Sequence, residues 1–127
     1  MYLRGLSCIF PVPDITKTAQ FYTEKLGFRA VAYLECEEPH ICLYRDDAEI
    51  ILLKANTCVV PNRKLYGYGY DAYLYTAEQE MLEKELIAKE VTFITHLTTT
   101  DYQNKQFVIE DIDGRWLAFG LKIKEDA

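Results

Sequence analysis

The sequence lacks a long apolar run and a paired-cysteine motif, and it is poor in histidine. No apolar run approaches the length that spans a bilayer. The N-terminal stretch MYLRGLSCIFPVPD is broken by Arg4, Pro11 and Pro13, and it lacks the basic-then-apolar layout of a secretory signal, so a cytoplasmic protein is expected. The four cysteines, Cys8, Cys36, Cys42 and Cys58, show no C-x-x-C spacing and read as reduced structural thiols. Only two histidines are present. His40 follows Pro39 at a strand start and His96 lies near a strand end. Nothing places either beside a cysteine and an orienting carboxylate, as a nucleophile pair requires. Basic residues are outnumbered 14 to 20, for a net charge of −6 and a pI near 4.9. That balance opposes nucleic-acid and anionic-membrane partners, and it suits either a cationic ligand or plain solubility.

What is present suffices for a folded domain. The 127 residues are 50% hydrophobic and 27% charged, so one domain with a real core is expected over residues 1–127. A strand is expected near 5–12, followed by a helix capped by Asp14 with Ile15, Ala19, Tyr22 and Leu26 at helical spacing and Gly27 past its end. Extended segments follow near 29–36, 40–45 and 48–55, with Asp46-Asp47 turning between the last two.

Residues 58–69, CVVPNRKLYGYG, have the composition of a linker. The order then repeats. YDAYLYT reads as a strand, and Thr76 with Gln79 reads as a capping box. A helix runs to about Lys89, with Leu82 and Leu86 inward and Glu80–Lys84 and Glu85–Lys89 as outward pairs. Strands near 91–97, 105–110 and 115–122 finish the second half. The chain therefore reads as βαβββ twice, with modules at 1–57 and 70–127. In DIDGRWLAFG, residues 111–120, the Asp113-Gly114 turn precedes a strand with unlike faces. Leu117, Phe119 and Leu121 form a core face. Trp116, Ala118 and Gly120 form a face that suggests room for something other than protein.

VPDITKTAQFYTEKLGF in the first module and FVIEDIDGRWLAFG at the end resemble the vicinal oxygen chelate superfamily, over essentially the whole chain. That group includes glyoxalase I, extradiol dioxygenases, and fosfomycin- and bleomycin-resistance proteins. Glu90 departs from its pattern, which has glycine after the second helix. The resemblance implies an α+β fold in which two βαβββ modules form an open, cleft-bearing barrel, and it implies a homodimer. In metal-using relatives four strands supply His and Glu ligands. Carried over one at a time, those positions fall on Ser7, Ile51, Ala118 and, depending on register, Tyr70 or Asp71. The Asp71 register is preferred, because it sends Ala72 and Leu74 toward the helix and avoids burying an unpaired carboxylate. Two of these residues cannot ligate, so no metal and no other cofactor is expected.

The candidate ligand-binding residues are Ser7, Ile9, Glu49, Ile51, Asp71, Tyr73, Tyr75, Trp116 and Ala118. Trp116 and Tyr73 would stack against a planar ligand, and Asp71, with Glu49 nearby, would fix a positive group. No catalytic residue is assigned. The resulting expectation is a metal-independent binder of a planar, cationic small molecule, similar to bleomycin-resistance proteins that sequester a drug. The alternative is an enzyme of the superfamily, a lyase, isomerase or thiol transferase, with an atypical or partner-supplied metal site. A third reading is an interaction protein with a filled cleft.

Overall fold

A computed structural model describes residues 2–123, so the expected outer bounds at residues 1 and 124–127 lie outside the described residues. The elements run β1 (Ser7–Val12), α1 (Ile15–Lys25), β2 (Arg29–Tyr33), β3 (His40–Arg45), β4 (Ala48–Lys54), α2 (Asn62–Tyr66), β5 (Ala72–Tyr75), α3 (Gln79–Ala88), β6 (Thr92–Thr99), β7 (Asn104–Glu110) and β8 (Trp116–Lys122). Two compact units divide between Val59 and Val60. Each holds one mixed four-stranded sheet, ordered β1-β4-β3-β2 in the first and β5-β8-β7-β6 in the second. In each sheet the first strand lies parallel to the last, and the remaining neighbours are antiparallel. The architecture is α+β.

In the first unit, Asp14 is extended and its carboxylate accepts the Lys17 N–H at 3.1 Å, satisfying one of the orphan donors that open α1. Thr18, Ala19 and Tyr22 carry the buried stripe of the helix. It stops at Leu26, because Gly27 takes φ 72° and lets the Phe28 N–H turn back to the Tyr22 carbonyl at 3.0 Å. Arg45 seals this end by donating to the Leu26 carbonyl at 2.8 Å. Tyr22 of the helix and Val12, Leu43 and Leu52 of the sheet are fully buried. Each side chain of this kind stabilises the fold by about 1.5–3 kcal/mol through apolar burial.

In the second unit, residues expected to be linker contain one helical turn, α2. Pro61 precedes it, and Gly67, at φ 87°, ends it in the left-handed region. The Thr76 capping box does not form. Thr76 Oγ1 instead accepts the Glu78 N–H at 3.0 Å, Glu78 is the N-cap, and the Gln79 amide reaches the Lys105 carbonyl at 3.3 Å. Glu80 pairs with Lys105 across to β7. The core beneath α3 joins Leu86 to Ile109, Leu117, Phe107 and Phe119, the last two rings stacked 5.2 Å apart.

The cysteines are all free thiols. Cys42 is buried and Cys8 half-buried, with burial pushing the Cys8 thiol up, whereas Cys36 and Cys58 lie exposed. The latter two have no packing role of the kind expected.

The small residues of β8 have a different explanation from the one expected. Ala118 is fully buried. A Cβ on Gly120 would lie 2.4 Å from the Lys105 carbonyl oxygen and 2.6 Å from Gln106 Cβ. Gly120 therefore admits the neighbouring strand β7 and leaves no room for a side chain at its own position. Leu121, expected in the core, is exposed.

Candidate functional site

Strand alternation puts Ser7, Ile9, Glu49 and Ile51 on the face of the first sheet away from α1, because Ser7 pairs with Glu49 and Ile9 with Ile51 in the parallel register. Cys42 and Tyr44 continue that face from β3. Ser7 Oγ donates to Glu49 Oε1, and the Tyr44 hydroxyl hydrogen-bonds the same carboxylate. These two donors hold the Glu49 carboxyl below its usual range. In turn Glu49, and then Cys42, push the Tyr44 phenol up. The Arg29 guanidinium lies 4.8 Å from the Tyr44 ring centroid. Beside this cluster is an open depression of about 340 Å³, lined by Arg4, Leu6, Ser7, Tyr44, Asp47 and Glu49 among others. Ile9 is largely exposed.

Five candidates lie in the second unit. Ala72 pairs with Leu117 and Leu74 with Phe119, so both follow the α3 face. Tyr73 pairs with Ala118 and Tyr75 with Gly120, which puts them on the helix-free face. This is the register preferred from the sequence.

The tyrosines there form a hydrogen-bonded ladder. Tyr73 donates to Gln106 Oε1 at 2.9 Å and accepts from Asn104 Nδ2 at 3.1 Å. Gln106 Nε2 donates to the Tyr70 hydroxyl at 2.8 Å, which lies 3.2 Å from the Tyr102 hydroxyl. The Tyr73 and Tyr75 ring centroids are 5.2 Å apart, and those of Tyr70 and Tyr73 are 6.3 Å apart. Burial pushes both the Tyr70 and Tyr73 phenols up. Their hydroxyls are engaged within the protein, so the face offers rings.

Asp71 has a structural role that the sequence did not suggest. One oxygen accepts the Asn62 N–H at 3.0 Å and the other accepts the Trp116 N–H, also at 3.0 Å. The carboxylate is a backbone clamp between α2 and β8, each oxygen already accepting one N–H. Trp116 is partly exposed, with one face of its ring covered. Arg63 Cζ sits 4.3 Å from its ring centroid, anchored by a bond to the Gly114 carbonyl and by Glu110 at 3.9 Å.

The metal-ligand positions can now be tested on their donors. Ser7 gives its proton to Glu49, Ile51 and Ala118 carry no donor atom, and both Asp71 oxygens hold backbone N–H groups. Among the described residues no group of three His, Cys, Asp or Glu side chains converges as metal ligands would. These four positions do not fit a divalent cation.

Sequence reasoning missed Arg63, Asn104 and Gln106. A signal existed for the two amides, since Asn104 and Gln106 alternate with Lys105 and Phe107 in a strand and so share one face.

Two βαβββ units, each with a helix on one sheet face and the candidate residues on the other, define a paired-module α+β protein whose site chemistry lies opposite its helices. The chain belongs to the Glyoxalase/Bleomycin resistance protein/Dioxygenase superfamily, whose family profile matches residues 6–119. Among solved structures, it is similar to a glyoxalase/bleomycin resistance protein/dioxygenase from Alicyclobacillus acidocaldarius, with a TM-score of 0.75 and 15% identity over 95% of this chain and 92% of that one. TnmS3, an antibiotic binding protein from Streptomyces sp. CB03234, aligns with a TM-score of 0.72 and 18% identity over 97% and 99% of the two chains. UcmS2 aligns with a TM-score of 0.70 and 23% identity over 94% and 98%. The glyoxalase/bleomycin-resistance fold is thereby established. No curated protein matches the sequence.

Proposed function

We propose that this protein binds a planar aromatic small molecule without transforming it, holding it against the rings of the second sheet. The observation that carries this reading is the tyrosine ladder, in which Tyr70 and Tyr73 engage their hydroxyls with Gln106 and Asn104 and present their rings with Tyr75. Stacking suits such a surface, because it draws on ring faces and leaves the internal hydrogen bonds intact. The likeness in fold to TnmS3, an antibiotic binding protein, agrees with a ligand of antibiotic type. A cytoplasmic homodimer is part of the proposal. A requirement for positive charge on the ligand is not, because the observation that carries the reading is a set of ring faces.

A thermal-shift panel of planar and non-planar compounds, each in neutral and charged forms, tests the reading. At a hundredfold excess over Kd a ligand raises apparent stability by about 2.7 kcal/mol. Planar members should therefore raise the melting temperature by several degrees, and Tyr73→Ala should abolish the shift. A panel without effect would favour a ligand-free interaction protein. Conversion of a compound by purified protein carrying stoichiometric divalent metal would favour the lyase, isomerase or thiol-transferase alternative.

A further inference from the structure

We propose that residues 61–69 form a strap that closes over Trp116, with Asp71 as its latch and Arg63 as its plug, and that a ligand reaches the covered face of the indole only when the strap lifts. The ligand half of this proposal rests on the aromatic-face reading above, whereas the strap stands on its own geometry.

Three observations carry it. First, α2 has no buried residue of its own, so beyond Pro61, which is buried just ahead of it, packing does little to hold the segment down. Its exit passes through Gly67 at φ 87° and Gly69 at φ 106°, and a Cβ added at either would meet nothing within 4 Å. Glycine is needed there for backbone freedom and not for close approach, which is what a hinge requires.

Second, the attachments are few and polar. The Asp71 carboxylate ties the Asn62 N–H to the Trp116 N–H, and the Asn62 amide reaches the Tyr70 carbonyl at 3.1 Å. Arg63 adds its contacts to Gly114, Glu110 and the indole. A segment held by such bonds, with Pro61 at its start as its one buried residue, belongs to the low-stability end of local opening.

Third, Trp116 is arranged to receive something. Its Nε1–H is buried and lacks an acceptor among the described residues, which leaves a donor to be satisfied. Its ring is covered by a cation that is itself paired with Glu110. A planar ligand would replace the guanidinium on the ring, and lifting the strap would open the Nε1–H to an acceptor. While Arg63 stays in place, it also repels cationic competitors.

Trp116 is the sole tryptophan, so its fluorescence reports the strap directly. Asp71→Asn replaces one acceptor oxygen with a donor and breaks one side of the latch. Hydrogen bonds to charged groups contribute roughly 1.5–3 kcal/mol, so amide exchange over residues 62–66 should rise on the order of tenfold or more. Acrylamide quenching of the indole should rise with it. Arg63→Gln keeps the latch and removes the plug, so quenching should rise while exchange over that turn stays near wild type. Circular dichroism and amide exchange in β7 and β8 establish that both variants are folded, and the milder Asn62→Ala replaces Asp71→Asn if it is not.

Exchange and quenching in the latch variant equal to wild type would overturn the strap. Stopped-flow binding of two planar dyes, cationic proflavine and anionic anthraquinone-2-sulfonate, tests the gate. Both should associate faster with Asp71→Asn, and proflavine should gain most from Arg63→Gln. Unchanged association rates would overturn gating. Failure of both dyes to bind any form, alongside the expected exchange and quenching changes, would overturn the binding reading and leave the strap standing.

Discussion

Glu90 follows α3 at φ 60°, a conformation that crowds Cβ against the backbone in every residue except glycine. The departure from the family's glycine noted in the sequence therefore leaves the left-handed geometry in place and loads it with strain. Glu90→Gly should stabilise the protein by about 1 kcal/mol, read from the urea midpoint. Tyr44, Tyr70 and Tyr73 make a second residue-level case, because each has its phenol pushed up, Tyr44 by its Glu49 bond and the other two by burial. The neutral phenol is the protonated form. Its contribution to stability is thus complete below the ordinary tyrosine pKa of about 10 and is lost as pH climbs through the higher folded values. An ultraviolet alkaline titration should show a late-ionising fraction among the ten tyrosines, smaller in Tyr73→Phe and absent after denaturation. Coincident folded and denatured curves would contradict the ladder.

At the level of elements, β8 separates two meanings of a small residue. Gly120→Ala forces a methyl against the Lys105 carbonyl and Gln106, and it should cost about 1–3 kcal/mol in chemical denaturation. A neutral outcome would mean that space does exist on that face. The sequence displayed most of the elements, because each rested on a local signal: the Asp14 cap, the Gly27 stop, the alternation along AEIILLKA and RWLAFG. The residues it concealed depend on distant partners. Helix α2 is one turn without an apolar stripe, held by Asp71 nine positions away and by Gly114 fifty-one positions away. The Pro61 and Gly67 brackets were its one local trace. Thr76 and Gln79 matched a capping pattern, yet Gln79 found Lys105, a partner no window of that length includes. The Asp71 register was legible from burial cost. Its partner was not, because a backbone N–H on β8 leaves no mark in the sequence.

For the molecule as a whole, the residues at the ligand positions bear on metal dependence. Prolonged dialysis against a chelator should leave both the melting temperature and the binding of planar compounds unchanged, since Ser7, Ile51, Asp71 and Ala118 offer no open set of donors. A fall of several degrees, restored by zinc or manganese, would show a site assembled from other groups. The parallel pairing that closes each unit has a further consequence. Ser7 meets Glu49 across 42 positions, and β5 likewise waits for β8, while the helices and hairpins between them use nearer contacts. On the ribosome the opening strand of each half must therefore remain without its neighbour until the closing strand has been translated. Nascent-chain experiments should find protease resistance arriving in two late steps, one for each half.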